Sequence, residues 1–129
     1  MVIDTSALFA IVTKEPERER FLILMKEAAT VEISAVTLYE TRVVLFGRFR
    51  DPQVLIQLDE ILDAANCKVV PFDSNQANRA THAYRQYGKG YHPAGLNLLD
   101  CVAYGLATAR HQPLLFKGDD FSRTDVQSV

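Results

Sequence analysis

The chain has 129 residues, of which 48% are hydrophobic and 23% charged, and its formal net charge is −2. This length and composition are typical of one globular domain, so we treat residues 1–129 as a single domain. The slight acidic excess argues against a protein held on nucleic acid mainly by counterion release. No apolar run approaches the ~20 residues of a membrane span, and Asp4 interrupts any signal-peptide pattern, so we expect no membrane association and a cytoplasmic location.

Short apolar runs alternate along the chain with longer amphipathic segments. The runs predict strands at residues 2–4, 31–34, 68–71 and 113–116, with a weaker one at 125–126. The segments between them predict helices after Asp4, at 15–29, at 35–49, from Asp51-Pro52 to about 65, from Ser74 to about 87, and after Asn97, with a loop at "GKGYHPAG". Strands separated by helices indicate an α/β protein with three α/β/α layers and a mostly parallel sheet of four to five strands.

Asp4 follows the first predicted strand directly, in "MVIDTSALFA". One interpretation is that Asp4 and Ser6 only cap the helix that follows. The other is that Asp4 belongs to a site, because ligands bind beyond the carboxyl ends of strands in parallel sheets. The position at a strand end favours the second interpretation.

Glu40 lies within an apolar segment, "AVTLYETRVVLF". On a helix it shares a face with Val36, Val43 and Val44, and no Lys or Arg stands three or four residues away. A glutamate in an apolar stripe is costly unless it is paired, protonated or bound to a cation. The alternative is a surface glutamate beside a wide apolar band.

Asp100 has both a structural and a functional interpretation. In "LNLLDCVAYGLATA", Asn97 as N-cap would place Asp100 at the third helical position, as in a capping box. Asp100 also leads a face formed by Ala103, Tyr104 and Ala107, so we expect it to face inward.

Two further aspartates follow the last clear strand, in "LLFKGDDFSRTDV". Asp119 and Asp120 fit a solvated turn, and at most one of them is expected to belong to a site. Three or four carboxylates gathered at one end of the sheet cannot all stay ionised without a cation. Oxygen ligands favour Mg²⁺ or Mn²⁺, which predicts metal-dependent phosphodiester hydrolysis.

The segments "VIDTSAL", "SAVTLYET", "LNLLDCVAYGLA" and "LLFKGDDF" occur in an order that resembles the PIN domain of VapC toxins from bacterial toxin–antitoxin pairs. The resemblance covers essentially the whole chain, although Leu99 stands where relatives often have glycine. It implies an acidic site of Asp4, Glu40, Asp100 and Asp120, with Asp120 a better match than Asp119.

The resemblance also implies an activity and partners. Proteins of this kind are Mg²⁺- or Mn²⁺-dependent endoribonucleases that hydrolyse RNA with a metal-activated water. They form homodimers, and the tail of a VapB-type antitoxin covers the acidic groove. On this hypothesis Asp4 and Asp100 hold the metal, Glu40 orients or deprotonates the water, Asp120 completes the site, and Ser6 bonds a carboxylate or phosphate.

Other side chains are less informative. Cys67 and Cys101 are interpreted as small core residues. Cations that could contact RNA are Arg85, Lys89, His92, Lys117 and Arg123, although each is also explained as a solvated side chain. The five tyrosines are too scattered to predict a stacking platform. The competing functions are a non-catalytic module that binds RNA or a partner, and a phosphatase with Asp4 as nucleophile.

Overall fold

The computed structural model describes all residues from 1 to 129. Four strands form one parallel sheet in the order β3-β2-β1-β4. The strands are β1 (Val2–Ile3), β2 (Glu32–Ser34), β3 (Lys68–Val70) and β4 (Leu114–Leu115). The helices are α1 (Thr5–Val12), α2 (Arg18–Glu27), α3 (Ala35–Phe49), α4 (Gln53–Ala64), α5 (Ser74–Tyr87) and α6 (Leu98–Arg110), followed by a short 3₁₀ helix (Phe121–Arg123).

The sheet is covered by helices on both faces, as the sequence predicts. Successive residues of β1 point to opposite faces, so Ile3 packs with Leu8 and Leu45 while Val2 packs with Leu106. One core therefore lies beneath α1 to α4 and the other beneath α5 and α6. This is the expected three-layer α/β/α arrangement, with β1 in the middle of the sheet.

The predicted strand at 125–126 is wrong. The chain returns beside β4 only through single contacts, in which the Leu114 amide donates to the Gln127 carbonyl at 2.8 Å and an isolated bridge forms at Ser128. The Val126 amide instead donates to the Thr124 hydroxyl at 3.2 Å. This local hydrogen bond competes with strand pairing and keeps the segment irregular.

The helix predictions are largely confirmed, with differences at the ends. The helix predicted at 15–29 begins only at Arg18. Helix α5 is capped by Asp73 rather than by Ser74, because the Asp73 carboxylate accepts from the Gln76 amide at 2.9 Å. Residues 88–95 contain no helix, as expected for the glycine-rich loop.

Helices α5 and α6 approach each other closely at Gly105. A Cβ atom at this position would stand 2.8 Å from the Gln76 carbonyl oxygen, which is too close for any larger residue. Cys101 is buried beside this contact, whereas Cys67 is only partly buried. No helix of the structure is long and apolar enough to cross a membrane.

Candidate active site

Asp4 lies at the carboxyl end of the central strand and is only 3% exposed. It caps α1, since its Oδ2 accepts hydrogen bonds from the Ser6 amide at 2.9 Å and the Ser6 hydroxyl at 2.6 Å. The Ser6 hydroxyl in turn accepts from the Lys117 amide at 3.0 Å, which ties the turn after β4 to the start of α1. Burial raises the pKa of Asp4, while the bonds from Ser6 act in the opposite direction. Asp4 therefore caps α1, and its role in a functional site stays a prediction.

Glu40 reaches the same region from α3. Its Oε2 accepts a hydrogen bond from the Thr5 hydroxyl at 2.7 Å, and that hydroxyl also lies 3.1 Å from the Thr41 hydroxyl. Burial is the main cause that raises the pKa of Glu40, and the nearby charge of Asp4 adds to it. The sequence did not predict the hydrogen bond from Thr5 to Glu40. The position of Thr5 directly after Asp4 is the one feature that could have suggested it.

The apolar residues expected to surround Glu40 on α3 are largely exposed, so the prediction of a buried apolar stripe is wrong. Val43 and Val44 on its side of α3 are exposed, and the buried side of the helix carries Thr37, Thr41 and Leu45. Glu40 is half-buried because its carboxylate lies against the start of α1, not because an apolar stripe covers it. The apolar pattern that drew attention to Glu40 therefore belongs to an exposed side of α3 and not to its buried side.

Asp100 forms the predicted capping box of α6. Its Oδ2 accepts from the Asn97 amide at 2.7 Å, and the Asn97 side chain accepts from the Asp100 amide at 2.9 Å. The pKa of Asp100 is raised to about 7. Burial is the main cause, the hydrogen bond from the Asn97 amide acts in the opposite direction, and repulsion from Asp4, Glu40 and Asp120 adds to the rise. The Asp100 carboxylate thus caps the N-terminus of α6 and also lies close to the other acids.

The two aspartates after β4 differ in their surroundings. The charge of Asp120 contributes to the raised pKa of both Asp4 and Asp100. Asp119 makes no such contribution, and its carbonyl accepts from the Ser122 hydroxyl at 2.6 Å. Both are exposed and neither lines the cavity described next, so Asp120 lies at its margin.

An open cavity of about 510 Å³ brings the distant segments together. Its lining consists of Asp4, Thr5, Ser6, Phe9, Glu15, Glu40, Val44, Asp100, Lys117 and Gly118. Three of the four predicted acids and Ser6 therefore share one cavity, although no three acidic, histidine or cysteine side chains are arranged as a preformed metal site.

Lys117 is the one cation in this cavity. Its ammonium group pairs with Glu15 and lies 3.0 Å from the Glu17 carboxylate, rather than pairing with the buried acids. These partners raise the pKa of Lys117, so the side chain keeps its charge. Asp4, Glu40 and Asp100 are therefore left without a cationic partner and repel one another.

Four of the five tyrosines lie close together in the fold, although they are separated along the chain. The rings of Tyr84 and Tyr91 meet edge to face with centroids 6.0 Å apart. Tyr87 contacts His92 at 5.3 Å and Tyr104 at 6.1 Å between ring centroids. The loop at 88–95 and the helix packing bring together rings that are spread over 21 positions of the chain.

A parallel sheet with carboxylates gathered beyond its central strand is the architecture of a PIN domain. The model of the PIN domain family matches residues 1–127, and the chain belongs to this family.

Within the PIN domain family, the curated relatives of this chain are VapC ribonucleases. The chain is 46% identical over 129 residues to Ribonuclease VapC30 of Mycobacterium tuberculosis, covering 100% of this chain and 98% of that one. It is also 46% identical to Ribonuclease VapC of Mycolicibacterium smegmatis, of which it covers 99%.

Solved structures agree on the fold. Mycobacterium tuberculosis VapC20, a toxin described as cleaving the sarcin–ricin loop, matches with a TM-score of 0.78 at 14% identity, covering 99% of this chain and 97% of that one. VapBC2 from Rickettsia felis, bound to a DNA fragment from its promoter, matches with a TM-score of 0.78 at 16% identity, covering 98% and 94%. At these identities the likeness concerns the fold alone.

Proposed function

We propose that this protein is a metal-dependent endoribonuclease and the toxic component of a type II toxin–antitoxin pair. The observation that carries the proposal is one cavity into which Asp4, Glu40 and Asp100 converge from three distant segments. The names of the curated relatives, which are VapC ribonucleases identical at 46% of positions, support RNA as the substrate.

The acids of the cavity fit a hard divalent cation, Mg²⁺ or Mn²⁺. Every candidate ligand is a carboxylate or hydroxyl oxygen, which suits these ions better than zinc. The pKa of Asp100, raised to about 7, reflects burial and a repulsion that a bound cation would relieve. Asp4 and Asp100 would hold the ion, with Glu40 and Asp120 completing the acidic set. When bound, the ion supplies positive charge for the phosphodiester oxygens and lowers the pKa of an attacking water.

The chain's own residues have separate tasks in this proposal. Glu40, held by the Thr5 hydroxyl, accepts the proton of the attacking water as general base. Ser6 holds the Asp4 carboxylate in one orientation through two hydrogen bonds. The ion pairs with Glu15 and Glu17 keep Lys117 at the edge of the cavity, where its ammonium group can meet a phosphate.

The nuclease proposal is tested by Asp100→Asn with Asp119→Asn as its matched control. Asparagine at position 100 still offers an oxygen to the Asn97 amide, so the capping box survives while the charge is removed. Cleavage of purified RNA in the presence of Mg²⁺ should fall more than about 100-fold, since even an outer-shell partner of a metal ligand contributes about 10–100-fold. Asp119→Asn should cleave normally. Equal cleavage by both variants contradicts the proposal, as does full cleavage in EDTA.

We also propose a VapB-type antitoxin and a second copy of this chain as partners. The solved structures that share the fold include toxin–antitoxin complexes, among them VapBC from Salmonella typhimurium, with a TM-score of 0.74. An acidic cavity favours an antitoxin segment with Lys or Arg, because opposite charges attract more strongly where water is excluded.

For the homodimer, α3 offers Tyr39, Val43 and Phe46, spaced three and four residues apart and 69%, 52% and 40% exposed. Val43→Glu should therefore give a monomer in light scattering, whereas Ile23→Glu on α2 should not. A monomeric unsubstituted protein would contradict the homodimer.

A further inference from the structure

The loop between α5 and α6 is connected to two segments that carry predicted acids. It ends at Asn97, the N-cap of α6, three residues before Asp100. The 3₁₀ helix that follows Asp120 contacts the same loop, because the Arg123 guanidinium donates to the Pro93 carbonyl at 3.2 Å. The loop is therefore joined to Asp100 through the start of α6, and to the segment after Asp120 through the Arg123 hydrogen bond.

The most exposed aromatic ring of the protein stands on this loop. Tyr91 is 72% exposed, and its ring is supported on one side by the edge-to-face contact with Tyr84. Its amide donates to the Gly88 carbonyl at 3.0 Å within a turn that Gly90 completes at a φ of 91°. The backbone thus holds a large aromatic surface in solvent, and its one ring contact within the fold is with Tyr84.

Unpaired cations flank this aromatic pair. Arg85 follows Tyr84 on α5, Lys89 precedes Tyr91 in the loop, and both side chains are exposed. Neither of them, nor Arg123, forms an ion pair within the protein, although acids make up 16 residues of the chain. Without a bound cation the acids of the cavity repel phosphates, so cations outside the cavity are needed to hold the rest of the RNA backbone.

We propose that Tyr91, supported by Tyr84, stacks against an unpaired base of the RNA substrate, while Arg85, Lys89 and Arg123 bind the phosphates around that base. This inference rests on the proposed ribonuclease function and defines the substrate class further, as RNA with a single-stranded segment near the cut. An aromatic ring next to cations is the usual platform for single-stranded nucleic acid, because any unpaired base offers a π face. A base within a duplex has both faces covered by its neighbours.

The test measures RNA binding without cleavage. In an Asp4→Asn background, a fluorescein-labelled 12-nucleotide single-stranded RNA of mixed sequence and a duplex of equal length are titrated by fluorescence anisotropy. Tyr91→Ala should weaken binding of the single strand about tenfold, the loss expected for one base–aromatic stack, and change duplex binding less than twofold. Tyr91→Phe should bind like the parent, because its ring still stacks. Phe49→Ala, which removes an exposed ring from the end of α3, should also bind like the parent.

Several outcomes would overturn the stacking site. One is that Tyr91→Ala leaves binding of the single strand unchanged. Another is that it weakens single-strand and duplex binding equally. A third is that it changes the oligomeric state while RNA binding stays intact, which would make the surface a protein interface. Cleavage assays separate this failure from failure of the nuclease function. If the unsubstituted protein cuts RNA and Tyr91→Ala leaves its KM unchanged, only the stacking site is wrong. If the unsubstituted protein neither binds nor cuts RNA, the proposed function is wrong and the stacking site is overturned with it.

Discussion

Asp4 and Asp73 occupy the same local setting in two parts of the molecule. Each follows a strand of the parallel sheet and caps the next helix, with a carboxylate oxygen 2.9 Å from a backbone nitrogen of the first turn. Asp4 is nevertheless 3% exposed and lines the acidic cavity, whereas Asp73 is exposed and lies outside it. The strand before Asp4 is central in the sheet, and the strand before Asp73 is at its edge. An acid at a strand end becomes part of a site only where neighbouring elements surround that end.

The largest difference between substitutions of Asp4 and of Asp73 is expected in the rate of RNA cleavage. Asp4→Asn should reduce the cleavage rate more than about 100-fold, because the substitution removes a charge that, on the proposed function, holds a divalent ion. Asp73→Asn should leave the rate unchanged, since asparagine caps a helix as well as aspartate does. Cleavage rates with Mg²⁺ measure both. A comparable loss in the two variants would show that the position in the sheet does not distinguish these residues.

A smaller effect is expected from the hydrogen bond that positions Glu40. Thr5→Val keeps the shape of the side chain and removes the donor 2.7 Å from the Glu40 carboxylate. Cleavage should fall about 10-fold to 100-fold, as for other partners that orient a site carboxylate. The Thr5 bond lowers the pKa of Glu40, so the acid limb of the pH–rate profile should move to higher pH in the variant. Thr81→Val, on the exposed side of α5, should change neither the rate nor the profile.

The repulsion among the acids of the cavity, which exposed acids such as Asp73 do not experience, should also affect the free energy of unfolding. The pKa of Asp100 is about 7 in the folded protein and near 3.8 in the unfolded chain, so the folded state binds more protons between these values. The free energy of unfolding of the metal-free protein should therefore fall as the pH rises from about 4 to about 7, and stay low above that. Thermal denaturation at pH 5 and pH 8 measures this fall.

Two controls sharpen the stability prediction. Asp100→Asn should flatten the pH dependence, and Mg²⁺ at pH 8 should raise the melting temperature because it binds only the folded protein. An identical pH dependence in Asp100→Asn would show that other groups cause it.

The smallest effect concerns Asp73 as a cap alone. Asp73→Ala should lower the free energy of unfolding by about 1 kcal/mol, since the Gln76 amide loses its acceptor. Urea denaturation measures this change, and RNA cleavage should stay at its full rate. A loss of cleavage in the folded variant would assign Asp73 a role beyond the helix end.

Local patterns predicted most of the helices and strands. The bounds of α3, the capping box at Asn97 and Asp100, and four of five strands follow from periodicity and capping, which act over only a few residues. The segment at 125–126 was mispredicted because a local side-chain bond from Thr124 replaced strand pairing.

The side chains around the acids were harder to predict. Thr5 and Glu15 were missed, since their partners Glu40 and Lys117 stand 35 and 102 positions away. The exposed side of α3 was mistaken for a buried one, because a helix with apolar residues on several sides does not reveal which side meets the core.

The sequence by itself determined most of the strands and helices, and that acids stand at several of their ends. Only the tertiary structure decided that Asp4 is enclosed while Asp73 is not, and that the ring of Tyr91 packs against that of Tyr84. Caps and periodicity depend on neighbours along the chain. The order of strands in the sheet, by contrast, depends on burying two apolar faces at once, and it is this order that places β1 at the centre.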